Sequence, residues 1–148
     1  VGMGANYYLD QRRAEYANTE QRLDVMIADV REDNRKLQTL TATATDVLQQ
    51  DKQKLATLKT QLAQQQVAKT AAQQQLAQVD ANTRYLRTSL ANLQKREQEW
   101  RQVAQAEQQK SQQHQQLNDE INRMQKQIIS LQESVQDVEQ QRAAIVLG

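Results

Sequence analysis

A single histidine, His114, stands in the string Ser111-Gln112-Gln113-His114-Gln115-Gln116, with no cysteine in the chain and no carboxylate within a helical turn on either side. A zinc site needs several converging ligands, and acid–base catalysis needs a positioned partner. His114 is therefore expected at a solvated or polar core position. Asp29, Glu32 and Asp33 cluster as calcium ligands do, but they lack the glycine and the alternating oxygen ligands of a binding loop. The interleaved Arg31, Arg35 and Lys36 make this stretch read as a salt-bridged helix face. Serines and threonines are scattered, and the only glycines are Gly2, Gly4 and Gly148, so neither a phosphate cradle nor a strand-turn-helix nucleophile is present. The expectation is no enzyme, no metal and no cofactor.

Lys52, Lys54, Lys59, Lys69, Arg84, Arg87, Lys95 and Arg96 make the middle third basic, with only Tyr85 and Trp100 nearby as stacking aromatics. A nucleic-acid grip wants a denser stripe and more aromatic platforms, and 19 basic against 18 acidic residues leave no overall field to attract a polyanion. These residues are expected on a solvated face, without nucleic acid as a partner. Trp100 suits a docking anchor by its residue type, but its spacing places it in a core.

The elements that must carry these residues follow from composition. Thirty Gln, 18 Ala and 15 Leu dominate 148 residues, and proline is absent. With turn residues so scarce, sheet folds are excluded and an all-α chain is expected. Aromatic residues are 3% and mean hydropathy is −0.91, too little large apolar surface for one thick globular core. Apolar residues recur every seven positions at Tyr16, Leu23, Val30, Leu37 and Ala44, with Met26, Leu40 and Val47 three residues after three of these, which is a coiled-coil frame. Leu55, Leu58, Leu62, Val79, Leu86, Leu93 and Trp100 follow a frame displaced by four residues, through a stutter near 44–48. Near Glu97, Trp100, Val103 and Glu107 a stammer restores the first frame. The strongest heptads run over 117–145 through Leu117, Ile121, Met124, Ile128, Leu131, Val135 and Val138.

Two zones interrupt this seam. Residues 61–75 offer mainly Leu62, Val67 and alanines, and residues 104–116 place Glu107, Lys110 and His114 at core positions. A buried Leu or Ile contributes about 1.5–3 kcal/mol, so these layers are expected to open, bend or turn first. The compensating slips favour one very long, nearly uninterrupted helix over 10–147, about 207 Å long, forming a parallel coiled coil. The alternative is a long antiparallel helical hairpin, with Asn82 as the left-handed C-cap of a turn at Asp80 to Thr83, or with the turn at 64–75 or Ser111 to Gln116. A lone helix would leave its stripe wet, so the expected partner is a second or third copy of the chain. The polar seam residues Asp33, Asp51 and Gln65 would weaken that bundle, and either fix its register or admit a different partner.

Residues 1–9 form an apolar segment in which Tyr7 and Tyr8 precede the first charges, as in an interfacial belt beside a membrane anchor. The plainer reading is an apolar end packed on its partner helix. The Gln- and Ala-rich, cysteine-free composition resembles that of bacterial periplasmic coiled-coil lipoproteins and trans-envelope machines, although no lipid-acceptor cysteine is present. The resemblance implies an oligomerisation rod, spacer or tether in the periplasm or cell envelope, with another protein of a larger assembly as partner. The alternative is a hairpin adaptor docking onto a channel, secretion or motor complex, and a cytoplasmic setting suits a cysteine-free chain equally.

Overall fold

The computed structural model describes residues 6–17, 21–107 and 111–147. Among these the fold is all-helical: α1 spans Asn6–Ala17, α2 Arg22–Ala63, α3 Lys69–Ala106 and α4 Gln112–Ala143. None of these helices is long and apolar enough to cross a membrane. Cross-helix pairs give the directions. Asp33 meets Arg96 and Asp51 meets Asn82, so α2 and α3 are antiparallel. Arg101 meets Asn122 and Arg142 meets Asp80, so α3 and α4 are antiparallel as well. Asp24 pairs with Gln113 and Lys52 with Asp137, which makes α2 and α4 parallel. The three long helices thus form an up-down-up bundle, and α1 folds back onto α2 and α3 at the end where α2 and α4 begin.

The stripe that builds this bundle is the heptad pattern itself. Leu23, Val30, Leu37, Leu55, Leu58, Val79, Leu86, Leu93, Trp100, Leu117, Ile121, Met124, Ile128, Leu131, Val135 and Val138 are all buried within one chain. Leu40 and Leu62 are half-buried against the same cluster. Leu9 and Tyr16 extend the cluster onto α1. Helix α2 runs unbroken through the stutter, with Ala44, Leu48 and Asp51 continuing its buried face.

A single uninterrupted helix is not what the chain forms here. It breaks within both weak zones, where few apolar layers would be lost by leaving the helix. At the first break Gln65 adopts φ 57°, a left-handed C-cap conformation. The Gln66 N–H donates to the Gln61 carbonyl at 2.8 Å and the Gln65 N–H to the Leu62 carbonyl at 3.2 Å, satisfying the helix end as such caps do. Gln65 is therefore a turn residue, not a seam residue. At the second break Glu107 is extended, and Ser111 caps α4 by accepting the His114 N–H at 3.2 Å. Lys110 lies outside the described residues, as do residues 1–5 and the side chains of Tyr7 and Tyr8. Asn82 ends no helix. It sits inside α3, because its amide is committed across the bundle to Asp51, with Nδ2 at 3.2 and 3.1 Å from the carboxylate oxygens.

Two expectations follow. A β-carbon in the left-handed region is strained and glycine relieves it, so Gln65→Gly is expected to stabilise the fold by about 0.5–1 kcal/mol in urea unfolding; destabilisation would mean that the turn is not left-handed in solution. Burial pushes the Asp51 carboxyl above its ordinary value, against the opposing pull of the Asn82 hydrogen bond and the Lys54 charge. Folding then favours the protonated form: this contribution is complete below the unfolded value of about 3.8 and is lost as pH rises through the folded value. Asp51→Asn should accordingly unfold at higher urea than the parent chain at pH 7, with the margin shrinking towards pH 3, and an unchanged margin across that range would count against a desolvated carboxylate.

Candidate functional site

The densest concentration of chemistry lies where α1 joins the bundle. The buried face of α2 passes through Met26, Val30 and Leu37 and places Asp33 at a core position, 4% exposed. A carboxylate removed from water needs strong donors. Arg96 supplies Nε at 2.7 Å and Nη2 at 3.2 Å, and Trp100 supplies its indole Nε1 at 2.8 Å. Both come from α3, one turn apart.

One turn back along α2, Asp29 repeats the arrangement with donors from α1. Arg12 donates Nε at 2.9 Å and Nη2 at 2.8 Å, and the Tyr16 hydroxyl donates at 2.6 Å. The Arg12 guanidinium also lies 5.5 Å from the centre of the Tyr16 ring, and that ring is 6.4 Å from Trp100. The Asp29 hydrogen bond raises the Arg12 pKa, and burial, reinforced by the same carboxylate, pushes the Tyr16 hydroxyl well above the usual phenol range. Tyr16 is thus held protonated as a donor. The two carboxylates and two guanidiniums form a clamp that fastens α1 to α2 and α2 to α3.

Beside the clamp opens a cleft of about 280 Å³ among α1, α2 and α3. Tyr16, Met26 and Val103 line it, together with Arg13 on α1 and the Arg22–Glu107 ion pair at the α2–α3 end. Glu107 accepts from Arg22 Nε at 2.7 Å and from Nη2 at 2.9 Å. His114 is on the other side of this end, buried at the start of α4. Its Nε2 lies 2.9 Å from the Ala104 carbonyl and its Nδ1 accepts from Asn118 at 3.2 Å, so the tautomer carries its proton on Nε2. This is a polar core position, tying α4 to the end of α3. No group of three or more His, Cys, Asp or Glu side chains among the described residues could hold a metal ion.

The acidic cluster expected as one salt-bridged helix face divides. Glu32 pairs locally with Arg35 on the surface, whereas Asp29 and Asp33 turn towards other helices. Arg96 is likewise no part of a solvated basic face, being 2% exposed, because its guanidinium answers Asp33. Trp100 is fully buried. The signal for this pairing was the spacing itself: Asp33 falls in the seam of α2, and Arg96 lies three residues from Leu93 and four from Trp100. Opposite charges at two core positions call for each other. The Arg12 and Tyr16 contacts with Asp29 carried no such signal, since they depend on α1 folding back.

Removing one partner of a buried ion pair leaves an uncompensated charge, so Arg96→Met is expected to cost about 3–5 kcal/mol in urea unfolding, with the Asp33→Leu/Arg96→Met double variant recovering most of it. A single-variant cost no larger than that of a surface ion pair, about 1 kcal/mol or less, would mean that water reaches Asp33 in solution. Compared with known proteins, the chain matches no family model, no curated protein and no solved structure.

Proposed function

We propose that this chain is a non-enzymatic helical scaffold, a folded-back bundle that docks onto a larger assembly as an adaptor. The observation that carries this reading is that one chain closes its own apolar seam, from Leu23 in α2 to Val138 in α4. A chain whose stripe is satisfied internally has no need of a second copy to stay folded. What it offers a partner is a stiff body with 42 residues in α2, about 63 Å long. The strongest polar groups are committed to one another in the clamp, which supports positioning in preference to proton transfer. A periplasmic or cell-envelope setting is in keeping with its Gln- and Ala-rich, cysteine-free composition, as a cytoplasmic one is with the absence of cysteine.

A second reading has its own support. The α2 and α4 seams already run parallel, and the regular heptads of α4 suit a parallel homo-dimer or homo-trimer in which the two breaks straighten into a rod. Such a rod would serve as a spacer or tether. Light-scattering mass with small-angle X-ray scattering separates the two. The adaptor reading expects one chain of 17.0 kDa with a maximum dimension of roughly 70–80 Å. Two or three chains in a particle near 200 Å would overturn it in favour of the rod.

A further inference from the structure

Helix α1 packs on α2 and α3 and, among the described residues, does not pack on α4. It is an appendage on the three long helices. Only Asn18, Thr19, Glu20 and Gln21 separate it from α2, and none of these is a helix-breaking glycine or proline. Helix α2 also begins without a side-chain cap: Gln21 supplies none, and its carbonyl already accepts the Val25 N–H at 3.2 Å, as inside a helix. The start of α4, by contrast, is capped by Ser111.

The buried stripe keeps its phase across this break. Leu9, Tyr16, Leu23, Val30 and Leu37 follow one another at seven-residue intervals and are all buried. A helix that folds back needs no common phase with the helix it leaves, whereas one continuous helix does. The direction of α1 fits as well. Arg12 pairs with Asp29, so α1 runs back along α2 about a point midway between Glu20 and Gln21. Two continuous α1–α2 helices, antiparallel about a two-fold axis at that point, would set Arg12 of each chain against Asp29 of the other. We propose that two copies of this chain exchange α1. Each α1 straightens onto its own α2, projects about 24 Å past the end of the bundle and takes the α1 seat of the second copy. The Arg12 and Tyr16 bonds to Asp29, and those of Arg13 to the Glu99 carbonyl and Gln102, are then remade between chains. Only the connection changes, which makes exchange a low-cost route to a dimer. The inference rests on the folded-back bundle and adds a second arrangement to it, formed at high concentration.

The test uses the full chain and two charge-reversed variants, Arg12→Asp and Asp29→Arg. Each variant alone sets like charges together at the clamp, whether within one chain or in a pair of its own kind. An exchanged pair of one variant with the other restores opposite charges at both clamps, which no single chain of either variant does. With rising concentration, light-scattering mass of the parent is expected to pass from 17.0 kDa towards twice that value. Its maximum dimension by small-angle scattering should reach roughly 130–140 Å, two bundles end to end. After joint refolding of the two variants, native mass spectrometry should show mixed dimers in at least about tenfold excess over either like pair, as expected where a charge-assisted contact is regained. Mixed dimers at no more than the statistical share would overturn the proposal. A parent chain that stays single up to millimolar concentration would overturn the exchange and leave the folded-back bundle standing. A particle near 200 Å without preference for mixed pairs would overturn both. If a variant does not fold, the mass and dimension of the parent decide alone.

Discussion

Asp33 is almost wholly removed from water, and the arrangement of the bundle's α1 end follows from how that charge is answered. Arg96 and Trp100 both reach it from α3, so the pairing fixes which turn of α3 faces which turn of α2. A shift by one heptad would set the Asp33 carboxylate against Ser89 and Leu93 or against Val103 and Glu107, with no cation to answer it, at a cost comparable with the net stability of a small domain. Apolar layers alone discriminate weakly between registers, because one leucine layer is much like the next. The charged layer removes that ambiguity. With α2 and α3 aligned, Asp29 lies one turn away, where Arg12 and Tyr16 bring α1 in.

Other polar layers continue the alignment along the axis. Asn34 donates to the Glu120 carbonyl at 2.9 Å and to its carboxylate at 3.1 Å, tying α2 to α4 inside the core. Asp51 and Asn82 mark the middle of the α2–α3 contact, and His114 sets the start of α4 against the end of α3. The exposed pairs Lys52–Asp137, Arg87–Glu139 and Arg142–Asp80 follow the same registers from outside. Each exposed pair contributes at most about 1 kcal/mol, so they agree with the alignment more than they enforce it. Specificity resides in the buried polar groups, and bulk stability resides in the leucine, isoleucine and valine layers between them.

Much of this was legible in the spacing of residues, and the illegible part has a physical cause. Heptad positions declare that a side chain needs a partner, but they are silent on whether that partner belongs to the same chain. A rod and a folded bundle therefore share one pattern. The weak zones at 61–75 and 104–116 marked where the helix gives way, because the loss of layers such as Leu62 or Glu107 is small. Asn82 misled because its residue type suits both a left-handed cap and a cross-helix amide donor, and only the depth of Asp51 in the core decides between them. Gln65, which does adopt the left-handed conformation, looked like its many neighbouring glutamines. The clamp on Asp29 was invisible, since it joins residues on either side of a break whose direction the sequence does not state.

Three passes is an odd number, and this has a mechanical consequence. The start of α2 and the end of α4 lie at opposite ends of the bundle, so a pull between them runs along the common axis. The layers shared by these two parallel helices then bear the load together, in shear. A pull between the start of α2 and the end of α3 acts on neighbours at the same end, and it would peel the Arg22–Glu107, Asp33–Arg96 and Asp51–Asn82 contacts one after another. The same bundle is therefore stiff along one line of tension and compliant along the other.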